Sequence, residues 1–171
     1  FSTTASFWRI SYSPEGLGHT LFVRSELSNG AWRVFTDNLA MTRWLQKGIQ
    51  GMLNGDLRNV SLPADQASFS GNGNPATHWT EKIDSESDSI VLSWSELSEP
   101  LLIHTLPGVA PGQRPNGMCS VFIPSRSAKL LWNGQAAEGK AWRREREGRP
   151  FSTCALALAE SWTETRSGSA E

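Results

Sequence analysis

Between residues 41 and 53 the apolar positions Met41, Trp44, Leu45, Ile49, Met52 and Leu53, with Gly48 in phase, recur every three or four residues. Arg43, Lys47, Gln50 and Asn54 fall between them. At 3.6 residues per turn this spacing makes one apolar stripe on a helix over about 38–54 and sends the polar side chains to the opposite face. Thr36, Asp37 and Asn38 are all N-cap types, and Asn54-Gly55 offers the left-handed residue that commonly ends a helix. A glycine inside a helix costs roughly 1 kcal/mol against alanine, so Gly48 on the apolar face is expected to meet another backbone closely. No other stretch carries a long helical period, and a lone apolar stripe needs a sheet to cover it.

Elsewhere the period is two. Residues 7–12 read as a first strand, and residues 19–38 as a hairpin about Asn29-Gly30, a preferred two-residue turn. That turn sets Leu27 opposite Trp32, Glu26 opposite Arg33, Ser25 opposite Val34 and Arg24 opposite Phe35. One face becomes apolar through Val23, Leu27, Trp32 and Val34, and Arg24 is placed to lie on the Phe35 ring. The polar stretch 56–76 reads as a surface connection with a short strand at 67–69. Residues 78–83 and 89–97 form a second antiparallel pair around an acidic tip, with Ile90, Leu92 and Trp94 on one face.

A short strand at 101–106 leads into a Pro/Gly loop, 107–117, whose composition excludes helix and interior strand. Strands follow at 120–124 and 127–132, the latter turning at Asn133-Gly134 into 135–138 with Lys129 opposite Glu138. Residues 140–146 read as a further strand, 147–150 as a turn, 151–163 as the last strand and 164–171 as a polar tail. In the last strand Cys154, Leu156, Leu158 and Trp162 share one face and Ala155, Ala157 and Ala159 the other, with no charge before Glu160. Such a strand is expected to be central and covered on both sides, the helix lying on the alanines with Gly48 close in. A ligand against the alanines is the alternative.

Nine or ten strands with short turns and one helix predict a mainly β fold. It is an antiparallel β-barrel or strongly curved sheet with one amphipathic helix packed on it, spanning residues 1–171 as one domain. A two-sheet β-sandwich is the alternative. In strand count the arrangement is similar to calycin and lipocalin-like barrels, and none of their sequence motifs is present.

Composition narrows the partners. Sixteen Lys and Arg balance 17 Asp and Glu, so no overall charge points to nucleic acid. No apolar run reaches the length of a membrane span. Two cysteines, Cys119 and Cys154, are too few for a disulfide framework and are expected as free buried thiols in a reducing cytoplasm, a single disulfide being the alternative. Eight tryptophans against one tyrosine is an unusual ratio; part of the set is expected in the core and part lining a cavity for a small, partly apolar molecule.

No phosphate-binding loop, GxGxxG, HExxH, GxSxG or CxxC is present, and neither cofactor nor metal is expected. Asp84, Glu86 and Asp88 have the alternate spacing of a calcium loop, but Ser89 and Ser95 stand where its glycine and bidentate glutamate belong, which leaves a solvated hairpin tip. Of the three histidines, His19, His78 and His104, the last lies just before the Pro/Gly loop and is the candidate acid, base or hydrogen-bond donor at a barrel mouth. Cys119 is a candidate nucleophile if His104 reaches it, and Arg114 a candidate clamp for a carboxylate or phosphate. Glu160 is a buried carboxyl whose expected partner is Arg143 or Arg144; unpaired, it becomes a catalytic candidate. Trp94, His104, Arg114 and Trp142 are the candidate ligand-binding residues.

Three functions fit. The first is a small-molecule-binding barrel with a Trp-lined pocket. The second is a lyase, isomerase or hydrolase using His104 with Glu96, Glu99 or Glu160. The third is an interaction or assembly subunit, including a homo-oligomer, using the cluster Arg143, Arg144, Arg146 and Arg149 or an open sheet edge.

Overall fold

In the computed structural model, residues 3–108, 116–146 and 148–164 are described, and the alternating stretches become twelve strands among them. They are β1 (Thr4–Tyr12), β2 (Gly18–Arg24), β3 (Arg33–Thr36), β4 (Ala64–Asn74), β5 (His78–Ser85), β6 (Ser89–Leu97), β7 (Leu101–Thr105), β8 (Asn116–Trp132), β9 (Gln135–Ala136), β10 (Arg143–Arg146), β11 (Arg149–Ser152) and β12 (Ala155–Glu164). Eight of them close a barrel in the order β12-β1-β2-β3-β4-β5-β6-β8, with β8 pairing back to β12. Strand β7 continues along the edge of β8 where β6 leaves it, and β10 and β11 form a hairpin of their own. The barrel with one helix is the predicted architecture. The all-antiparallel order is not: β3–β4 and β1–β12 are parallel. The first follows from the helix, which returns the chain so that β4 runs beside β3 in the same direction. The last strand is antiparallel to β8 and so must run with β1.

Side chains sort by parity into two cores. Leu21, Val23, Phe35, Ala67, Ile83, Ile90, Leu92, Trp94, Ile123, Leu130, Trp132 and Leu156 fill the barrel. Trp8, Ile10, Phe22, Val34 and Trp162 point outward and pack under the helix with Met41, Leu45, Ile49 and Leu57. Strands β1, β2 and β3 are therefore apolar on both faces, which explains the unbroken run Leu21-Phe22-Val23. Each fully buried aliphatic or aromatic side chain contributes about 1.5–3 kcal/mol by leaving water.

The helix, α1 (residues 39–53), begins at Asn38, whose side chain accepts from the Met41 amide. It starts as α-helix (Leu39–Leu45), loosens into a π turn (Gln46–Gln50) and ends as Gly51–Leu53. The π turn corrects the predicted stripe. An extra residue in the turn rotates the remainder of the helix, so Met52 and Leu53 are exposed while Gln46 and Gln50 are buried. Gln50 accepts from Trp8 Nε1 at 3.0 Å and donates to Ser6 Oγ at 3.1 Å. Gln46 Nε2 donates to the carbonyls of Leu57 and Val60. Gly48 meets no backbone; the close approach is at Gly51, where a Cβ would stand 2.9 Å from Arg58 Cα. Asn54 is extended, with φ −133°, and ends the helix without a left-handed residue.

Five further sequence readings are corrected. In the first hairpin Leu21, not Arg24, lies opposite Phe35, because a 3-10 turn (Glu26–Ser28), capped reciprocally by Ser25 and Ser28, takes up residues expected in the strands. Arg24 lies instead over the Trp32 ring, 4.9 Å from its centroid. The polar stretch after the helix contains a full strand, β4, whose glycines Gly71 and Gly73 sit where neighbouring groups come within 3 Å of a would-be Cβ. The alanines of β12 do not face α1: Ala157 lies opposite Phe122, whose ring meets Phe151 of the β10–β11 hairpin. The β8–β9 register is as predicted about Asn133-Gly134, but pairing stops at Leu131–Ala136, and the Glu138 amide donates to Glu26 instead. Cys119 and Cys154 are free thiols, exposed and half-buried rather than buried. Among the described residues no helix is long and apolar enough to cross a membrane.

Candidate functional site

The two ends of the barrel differ. At one end Arg33, from the start of β3, donates to Asp65 at 2.6 Å and to Asp88 at 3.0 Å, and its guanidinium lies over the Phe35 and Trp132 rings. Asp88 also accepts from Trp132 Nε1 at 2.7 Å and from Asn133 Nδ2 at 3.1 Å. Burial pushes the Asp88 pKa up, yet these hydrogen bonds, that of Ser87 and the Arg33 charge outweigh it and hold the carboxyl below its usual range. The acidic tip between β5 and β6 is thus tied to the barrel through Asp88, while Glu86 and Ser87 at its apex are exposed to solvent. No group of three or more metal-binding side chains assembles among the described residues.

The other end is open. A cleft of about 900 Å³ is walled by Leu97, Val121, Ile123 and Leu158, with Pro75, Ala76, Glu96, Ser98, Glu99, Pro100 and Arg126 about it. The opening has a backbone cause: Glu96 adopts φ 53°, and β6 breaks from β8 before β7 resumes the pairing at Leu101–Phe122. Pro124 and Ser125 bend β8 at the same level, switching its inward side chains from Val121 and Ile123 to Ala128, Leu130 and Trp132.

Charged and aromatic groups occupy the barrel interior at that end. Arg9 on β1 pairs with Glu81 on β5, and Trp79 Nε1 donates to the same Glu81 oxygen, Oε1, at 2.7 Å. Glu81 is wholly buried, and burial lowers the Arg9 pKa from its ordinary value. The guanidinium lies 5.4 Å from the Trp79 centroid. Arg9 Nε and Glu81 Oε2 are buried with no partner. Opposite Glu81 stands Gly71, where a Cβ would come within 2.5 Å of Arg9 Nη2 and 2.8 Å of Glu81 Oε1. Nearby the His19 ring stacks on Phe69 at 5.2 Å and bonds Asp37 Oδ2 through Nδ1 at 2.7 Å.

The residues named from sequence are dispersed. Trp94 is in the barrel core beside Phe7, and no tryptophan lines the cleft. His104 and Cys119 lie opposite each other across β7 and β8, both exposed, with no hydrogen bond between them. Their neighbours Ile103 and Ser120 share a face with Glu160, so His104 points away from that carboxyl. Trp142 is exposed, with Lys140 over its ring. Arg114 lies outside the described residues, as do 109–115 of the Pro/Gly loop, Glu147 and 165–171 of the tail.

Glu160 is buried, but Arg143 and Arg144 are exposed on the separate hairpin and do not reach it. A bulge in β12 turns Glu160 to the outer face, where it accepts from Ser120 Oγ at 3.0 Å and Trp162 Nε1 at 3.4 Å. Loss of water drives its pKa up to about 7, against the pull of these two donors. The Arg9–Glu81 pair was the residue set missed in sequence. Its signal was there: Glu81 is in phase with Trp79 and Ile83, and Arg9 with Phe7. Compared with protein-family models, curated proteins and solved structures, the chain matches none.

Proposed function

We propose that the barrel binds a small, partly apolar molecule in the cleft at its open end. The observation that carries this reading is a cleft of about 900 Å³ whose inner wall is Leu97, Val121, Ile123 and Leu158, side chains that in a closed barrel would be covered. Ligand sites are typically of this kind, at about 300–1,000 Å³, mostly apolar and edged by a few polar groups. Here the polar groups are Glu96, Glu99 and Arg126. The tryptophans serve the barrel's rigidity rather than the wall, since Trp94 and Trp132 are core and Trp8 and Trp162 hold the helix.

The test is titration of methyl-labelled protein with phenyl-bearing probes, followed by NMR. Saturable shifts confined to Leu97, Val121, Ile123 and Leu158, weakened at least about tenfold by Leu158→Phe, support the reading. Methyl signals that stay put with every probe to its solubility limit overturn it, as do shifts that Leu158→Phe leaves unchanged.

A further inference from the structure

We propose that Arg9 and Glu81 form the polar anchor of this ligand, taking a carboxamide that offers an acceptor and a donor side by side. The inference rests on the binding reading above and adds the chemistry of the bound group. Arg9 Nε needs an acceptor and Glu81 Oε2 needs a donor, and both atoms are buried. A buried polar atom left unpaired costs about 1–3 kcal/mol, more when charged, so native interiors rarely keep two on one ion pair. The other half of the pair is fully used: Oε1 receives both Arg9 Nη2 and Trp79 Nε1. The carboxyl is thereby fixed with Oε2 as its free acceptor. Gly71, opposite, carries no side chain because Arg9, Glu81 and Trp79 fill the space above it and so hold the pair in place.

The pair stands at the open end. Trp79, on which Arg9 lies, is at the start of β5, just after Pro75 and Ala76 of the cleft rim. Leu158 is on β12, which runs beside β1 with Glu160 level with Ile10. A molecule with its apolar body on the cleft wall and a carboxamide toward Arg9 satisfies both free atoms. A carboxylate satisfies Arg9 but sets negative charge against Oε2, and a hydrocarbon satisfies neither.

The experiment titrates 3-phenylpropanamide, 3-phenylpropanoate and propylbenzene into the wild-type chain and Glu81→Gln, read by the same methyl signals. On the wild type the amide is expected to bind at least about tenfold tighter than the other two. In Glu81→Gln the two donors hold the Gln oxygen at the Oε1 position, so its NH₂ replaces Oε2. The preference is then expected to pass from the amide to the carboxylate. Equal binding of all three to the wild type overturns the anchor and leaves the cleft reading standing; it means that the pair closes on itself or holds only water. Binding of none overturns both. If Glu81→Gln does not fold, the Arg9 Nε–H resonance of the wild type decides: the amide must move it, and an unmoved signal overturns the anchor.

Discussion

Replacing Glu160 by Gln is expected to abolish a pH-dependent loss of stability that begins in mild acid. The carboxyl sits between β12 and β8 with Ser120 and Trp162 as its hydrogen-bond partners, and loss of water raises its pKa from 4.5 to about 7. The folded state therefore keeps a proton that the unfolded chain gives up above pH 4.5. Stability from this group is complete below 4.5, falls as pH rises, and levels off above about 7. At 1.36 kcal/mol per pKa unit the full fall is about 3 kcal/mol, with no discount for solvent because the group is buried. Glutamine keeps the shape and is never charged, and the Ser120 hydroxyl can turn from donating to accepting its NH₂. The assay is urea unfolding of both proteins from pH 4.5 to 8.5, plotted as the difference between them so that the histidines cancel. The wild type is expected to lose about 3 kcal/mol relative to Glu160→Gln across the range. A flat difference, or one that grows in the wild type's favour with pH, refutes the reasoning.

Two other outcomes concern backbone and cap. Gly71→Ala puts a methyl within 3 Å of Arg9, Glu81 and Trp79 and is expected to cost about 1–3 kcal/mol in urea unfolding, with Arg9 and Trp79 side-chain resonances shifted. Asn38→Ala removes the acceptor for the Met41 amide, and its donations to the Glu15 and Leu17 carbonyls, and is expected to lower stability by about 1 kcal/mol without changing the barrel's circular dichroism.

The helix was legible because Met41, Leu45 and Ile49 keep the helical period and Asn38 caps it. Its π turn was not, since nothing at Gln46–Gln50 distinguishes a helix that will take one more residue per turn. The hairpin β5–β6 was legible as an antiparallel pair because both strands alternate cleanly, although Asp84, expected in the tip, lies in β5 opposite Ser89. Strand β4 was hidden by Gly71-Asn-Gly-Asn, a turn composition that here serves close packing inside a strand. Two ion pairs join side chains far apart in the chain, Arg33 with Asp88 and Arg9 with Glu81. Parity puts Arg9 in phase with Phe7 and Glu81 in phase with Trp79 and Ile83, but only closure of the barrel says which meets which. The partner expected for Glu160 failed for the same reason: one bulge in β12 decides which face the carboxyl takes.

Because β12 seals the barrel between β1 and β8, the wall has a seam whose two sides lie far apart along the chain. A ribosome must have delivered β12 before that seam can shut. Until then Trp8, Ile10 and Ile123 line an unfinished edge, and such edges recruit strands from other molecules. Closure of the barrel accordingly waits on β12, whose pairing with β1 is highly non-local and so slow to form.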